Sequence, residues 1–162
     1  MKLSYLKGVS FGLTSGVITT LGMMVGLQAG THSKLAVLGG ILTIAVADAF
    51  SDALGIHISE ESENQHTVRE IWESTAATWC AKFFFAITFI VPVLLVNNLA
   101  NAVWIAIAWG MLVLGAISYW MARDQKEPAW HVMGEHMGIA FVVIFLTHFV
   151  GEWISATFGM IG

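Results

Sequence analysis

Asp48 and Asp52 stand four residues apart in the segment ADAFSDALG, inside a stretch from Leu35 to Ile58 that otherwise reads as membrane-spanning. A carboxylate at membrane depth costs at least about 2.5–3.5 kcal/mol on insertion scales. One helical turn separates the two acids, so they share a face, and that face must meet protein, water or an ion. Carboxylates with a nearby hydroxyl (Ser51) suit hard or borderline divalent cations, and a thioether such as Met23 or Met24 adds softness. Neighbouring acids also raise each other's pKa, so a shared proton is expected in the absence of metal. The pair therefore points to a divalent-cation pathway coupled to protons. Its bland alternative is a structural acid pair that hydrogen-bonds neighbouring helices.

Two further sets carry chemistry. The last apolar stretch holds His131, Glu135 and His136 near one end and His148 with Glu152 deeper in. His-x-x-x-Glu on a helix binds a metal or relays a proton; an interfacial polar turn is the plainer reading of His131, Glu135 and His136, while for His148 and Glu152 a functional and a structural role stand level. His57, Glu60, Glu61, Glu63 and His66 cluster just past the second stretch, either as an antechamber that concentrates cations or as a solvated loop.

The elements that must position these groups are helices. The chain has 162 residues, of which 57% are hydrophobic and 11% charged, and its mean hydropathy is +0.76. Soluble domains carry about 25% charged residues. Five apolar segments emerge: about 8–31, 35–58, 75–96, 100–122 and 129–158. Each is long enough to cross a roughly 30 Å hydrocarbon core, and continuous apolar runs without alternation select helices over a barrel. The expected fold is an all-α bundle of five transmembrane helices in a single domain, 1–162, with an acidic loop over 59–74. The apolar run after MKLSYLKG is too long for a signal peptide and no cleavage pattern follows it, so it reads as a retained span. No basic patch offers itself to nucleic acid. The single cysteine, Cys80, excludes an intrachain disulfide and reads as a small apolar residue.

Lys2, Lys7, Arg69, Lys82, Arg123 and Lys126 fall on one side of such a bundle and Lys34 on the other. Positive charge marks the cytoplasmic side, so the N-terminus is expected inside and the C-terminus outside. Tyr5, Trp79, Trp130 and Trp153 read as ordinary interfacial aromatics. Gly12–Gly16, Gly22–Gly26 and Gly26–Gly30 are G-x-x-x-G pairs on the first span, which serve close helix packing within one chain or a dimer interface.

The runs GLTSGVITTLGMMVG and ADAFSDALGIHISEESE resemble the first two spans of the vacuolar iron transporter family, whose spans read like G-x-x-D-G-x-x-x-x-x-G-x-x-x-G and A-D-x-x-S-M-x-x-G-E-Y-x-S. The closing THFVG resembles the family's last span. Asp48, Ser51, Gly55 and Ser59 match the second pattern. Ser15 stands where the family has an aspartate, Asp52 where it has a methionine, Ile56 where it has an acid and His57 where it has a tyrosine. The family's cytoplasmic metal-binding domain is reduced to 59–74. The resemblance implies a homodimer that exports Fe(II) or Mn(II) from the cytosol against protons, through a pathway between protomers lined by the first two spans. Asp48 and Asp52 are then the central ligands, Met23, Ser15 and Ser51 secondary ones, and His148 with Glu152 an additional ligand or proton step. The metal is cargo, with no tightly bound cofactor and no enzymatic reaction; the partners are the divalent cation, the proton, lipid and a second copy. A prokaryotic cytoplasmic membrane is the default location. The rival reading is a non-transporting assembly subunit whose acids are structural; a membrane metalloenzyme built on the fifth-span histidines ranks below both.

Overall fold

The computed structural model describes residues 2–159; Met1 and residues 160–162 lie outside it, as does the side chain of Lys2, one of the charges counted above. Helices follow one another as α1 (Lys2–Thr31), α2 (Lys34–Thr43), a π-helical turn (Ile44–Asp48), α3 (Ala49–Glu63), α4 (Val68–Thr88), α5 (Ile90–Leu95), α6 (Leu99–Gln125) and α7 (Ala129–Phe158). They form five rods long and apolar enough to cross a membrane: Ser4–Thr31, Lys34–Glu63, Val68–Leu95, Leu99–Gln125 and Ala129–Phe158. The protein is an all-α membrane bundle.

Local chemistry explains the boundaries. Ser33 caps α2 by accepting from the Ala36 amide, and Asn98 caps α6 by accepting from Asn101. Thr67 and Glu70 form a reciprocal capping box at the start of α4, which satisfies two otherwise orphaned amide donors. His32, Asn64 and Lys126 take left-handed backbone conformations just past helix ends, where the chain must turn. Pro92 lacks the N–H that would bond back to Thr88 and crowds that carbonyl, and the third rod breaks at Phe89, between α4 and α5.

These boundaries correct one expectation. The acidic stretch 59–74 is not a loop: α3 runs on to Glu63 and α4 begins at Val68, so only 64–67 connect them. The capping box and the burial of Glu60 and Ser74 draw those polar residues into the helices.

α1 is the central post, packed against α4, α7, α6 and α2. Its glycines explain how. Gly8, Gly12 and Gly16 face Ser74, Thr78 and Lys82 of α4, and Thr78 Oγ1 donates to the Gly8 carbonyl at 3.2 Å. A Cβ at Gly12 would stand 3.1 Å from Thr78 Cα and 3.2 Å from Ala81 Cβ. Higher up, Gly22, Gly26 and Gly30 turn to Val143, Thr147 and Gly151 of α7. Both glycine stripes are therefore filled within one chain. Of the two uses expected for these glycines, packing within one chain is the one seen here: the close approach that glycine permits is taken up by α4 and α7.

The second rod carries its buried face on Val37, Ile41, Ala45, Ala49, Ala53, Ile56 and Glu60. Steps of four overshoot a straight α-helix by about 40° each at roughly 100° per residue. The π turn, wider than an α turn, resets that drift at Ile44–Asp48 and returns Ala49 and Ala53 to the interior.

Gly12→Val is expected to destabilise the fold by about 1–3 kcal/mol through overpacking. Gly138→Ala, where a Cβ meets nothing within 4 Å, should gain up to about 1 kcal/mol from helix propensity. Thermal melting in detergent compares the two.

Candidate functional site

Asp48 lies fourteen residues after Lys34 and fifteen before Glu63, halfway along the second rod. The acid pair is thus at mid-depth, about 20 Å from either end. Lys82 is as deep, fourteen residues after Val68 and thirteen before Leu95, and its side chain is wholly buried. Its ammonium pairs with both Asp48 and Asp52 and donates to Ser15 Oγ at 2.9 Å. Three groups from two rods therefore meet around the ammonium of a third. Gly16 makes this possible: a Cβ there would already touch Lys82 Cγ at 3.4 Å, and any longer side chain would take the space of the lysine stem.

This corrects the placement of Lys82 among the charges at the cytoplasmic end. The helix begins at Val68, seven residues earlier than the apolar run suggested, so the lysine is internal. Without it the bias is still Lys2, Lys7, Arg69, Arg123 and Lys126 against Lys34. A buried lysine on the third rod was the missing partner of the acids. Its sequence signal was a lone cation in the apolar run CAKFFFA, which calls for a carboxylate partner at the same depth.

The carboxylates are less enclosed than the ammonium: the Asp48 and Asp52 side chains keep 31% and 18% exposure. They sit between the buried face and two exposed stripes of opposite character. Leu42, Val46, Phe50, Leu54 and Ile58 form the first, each at least half exposed. Gly39, Thr43, Ala47, Ser51, Gly55 and Ser59, all exposed and four apart, form the second. A Cβ at Gly39 or Gly55 would meet nothing within 4 Å. Asp48 and Asp52 lie three residues from Ser51 and Gly55, so they border this small-residue stripe.

The other anticipated site residues separate. Ser15 joins the acids through Lys82. Ser51 is exposed on the small-residue stripe rather than turned to the ammonium. Met23 packs its thioether over Gly40, about 12 Å along α1 from Ser15, and Met24 is fully buried in the core. His148 Nε2 lies 3.3 Å from Glu152 Oε1, and with Gln28, His32 and Ser155 they line a shallow 320 Å³ cavity at the far end of α1. Gly30 marks that level, fifteen residues from Ser15 and so about 20 Å away. The structure does not bring these two residues to the acids. His131 and Glu135 form an exposed pair at 3.4 Å, while His136 Nδ1 shares a 2.8 Å hydrogen bond with Ser118 Oγ.

A second polar layer closes the opposite end. Glu60 is fully buried, accepts from Ser74 Oγ at 2.6 Å and has Lys7 Nζ at 3.4 Å. Glu63 joins Lys7 at 3.4 Å and His66 at 3.2 Å. His57 Nδ1 lies 2.9 Å from Thr75 Oγ1 and its ring meets Trp72 edge-on. These residues tie α1, α3 and α4 together instead of forming an open acidic antechamber; Glu61 remains exposed. Cys80 is exposed too.

Among the described residues no group of three or more His, Cys, Asp or Glu side chains is placed to hold a metal ion. One chain supplies two carboxylates and one hydroxyl at mid-depth, and its own ammonium already sits on them. No protein-family pattern and no characterised protein sequence matches the chain.

Removing one partner of a buried ion pair costs about 3–5 kcal/mol because the other charge is stranded. Lys82→Met and Asp48→Asn/Asp52→Asn should each destabilise the bundle on that scale. The triple variant Asp48→Asn/Asp52→Asn/Lys82→Met should recover most of the loss. Denaturation of all three in one detergent measures this non-additivity.

Proposed function

We propose that this chain is a cation transporter that carries a divalent metal of the Fe(II)/Mn(II) class out of the cytosol in exchange for protons. The observation that carries the reading is the mid-depth acid pair, still partly exposed, beside a small-residue stripe whose Gly55 meets no side chain among the described residues. Lipid is an unfavourable neighbour for such a face, since exposed carboxylates at the bilayer centre are expensive.

A second copy of the chain is the occupant we assign to it. Small residues four apart let two helix backbones approach closely in lipid, and the stripe Gly39-Thr43-Ala47-Ser51-Gly55-Ser59 borders both acids. A two-fold interface puts the same patch on both sides, so two such pairs would face each other and double the carboxylates available to one cation. Large side chains on the neighbouring stripe suit lipid contact. The first rod then contributes Ser15 from behind, not an interface. The orientation expected from the charge bias places the Glu60 layer at the cytosolic end and the His148–Glu152 pair outside, in a prokaryotic cytoplasmic membrane.

The competing reading, an assembly subunit with structural acids, draws support from Lys82, since an internally paired triad holds three rods without any cargo. Flux decides. Proteoliposomes loaded under a pH gradient should take up Mn(II) and Fe(II) in a gradient-dependent manner. The neutral triple variant Asp48→Asn/Asp52→Asn/Lys82→Met should fall to the lipid background while remaining folded. Well-folded wild-type protein that moves no divalent cation would sink the transporter. The interface has its own test: Gly55→Leu should shift the detergent-solubilised protein from dimer to monomer on sedimentation while leaving its melting temperature unchanged.

A further inference from the structure

We propose that Lys82 is a built-in competitor for the cargo: its ammonium holds Asp48 and Asp52 while no cation is bound and must withdraw before one binds. The inference rests on the cation-transport reading and adds to it the residue that regulates occupancy. Geometry is the starting point. The ammonium is wholly buried, whereas the Asp48 and Asp52 side chains keep 31% and 18% exposure. The Asp48 oxygen that meets the ammonium, Oδ2, is itself buried, so a cation would reach the pair at its exposed atoms while the ammonium holds it from within.

Charge decides that both cannot stay. Two carboxylates and one ammonium leave a single net negative charge. A divalent cation added to that set leaves an excess positive charge at mid-depth, where interactions between unit charges are weakly screened. A divalent cation on the two carboxylates alone is neutral. Ser15 Oγ on α1, already 2.9 Å from Nζ, is an uncharged acceptor that keeps the ammonium hydrogen-bonded when its contacts to the carboxylates are given up. The lysine stem is flexible, and Gly16 leaves it room. The consequence is a site whose affinity is held down by its own side chain, and which never exposes two uncompensated acids when empty.

The test is equilibrium binding of Mn(II) to the full-length detergent-solubilised protein, with free Mn(II) read by its paramagnetic resonance signal. Lys82→Gln removes the charge but keeps two N–H donors for the carboxylates; it should bind Mn(II) at least about tenfold more tightly than wild type. Lys82→Arg, which keeps the charge, should not. A second pair guards against misfolding of Lys82→Gln. Asp52→Asn, with one acid matched to one ammonium, should lose Mn(II) binding, and Asp52→Asn/Lys82→Gln should regain it. Equal affinities for wild type and Lys82→Gln, or no rescue in the double variant, overturn the competitor role while leaving the acids as ligands. Absence of Mn(II) binding from wild type, Lys82→Gln and the double variant alike overturns the transport site and the competitor together.

Discussion

An ammonium and two carboxylates held at mid-depth in an apolar bundle constrain everything around them. Removing them from water is costly unless each charge is matched and its hydrogen bonds are supplied. The matching charges come from rods that are separated in sequence, so α1, α3 and α4 must approach within side-chain reach of one nitrogen. Gly8, Gly12 and Gly16 allow α4 to lie directly on α1, and Ser15, next to the last of these glycines, supplies the neutral oxygen. The π turn at Ile44–Asp48 keeps the second rod in register with that contact. π turns often mark functional sites, and this one ends on the first of the two acids.

Small residues divide the bundle into used and unused surfaces. On α1 they are consumed, first against Ser74, Thr78 and Lys82 and then against Val143, Thr147 and Gly151. On the second rod the corresponding residues face outward beside a stripe of large apolar side chains. Lipid tails offer no hydrophobic incentive for helices to associate, so close packing of small residues carries most of the association between them. The second rod thus carries two adjacent exposed stripes, one of large and one of small side chains, and the small one borders the acids.

Polar groups inside the bundle are layered. The Lys82 triad lies at its centre, and Glu60 with Ser74 and Lys7 lies toward the end where α3 meets α4. Both layers join the same three rods. Removing either partner of a buried layer strands the other, which makes the charge-balanced variants more informative than single neutralisations.

Sequence by itself determined the five apolar rods, their helical character and the presence of two acids on one face, because hydrocarbon leaves backbone groups no partners except their own helix. It also located turns, through the gaps between the apolar stretches at 32–34, 97–99 and 123–128. It did not determine where rods begin: hydropathy ends at the first polar residues, whereas capping by Thr67 and burial of Glu60 and Ser74 extend α3 and α4 into 59–74. Nor did it reveal which of its glycines touch another helix, since a G-x-x-x-G pattern carries no address for its partner. Lys82 is the sharpest case. Counted along the chain it belongs with the flanking charges; in three dimensions it is the counter-ion of Asp48 and Asp52. Only tertiary structure decides such a pairing, because the attraction depends on depth and distance between rods, and neither is written in the spacing of residues along any one of them.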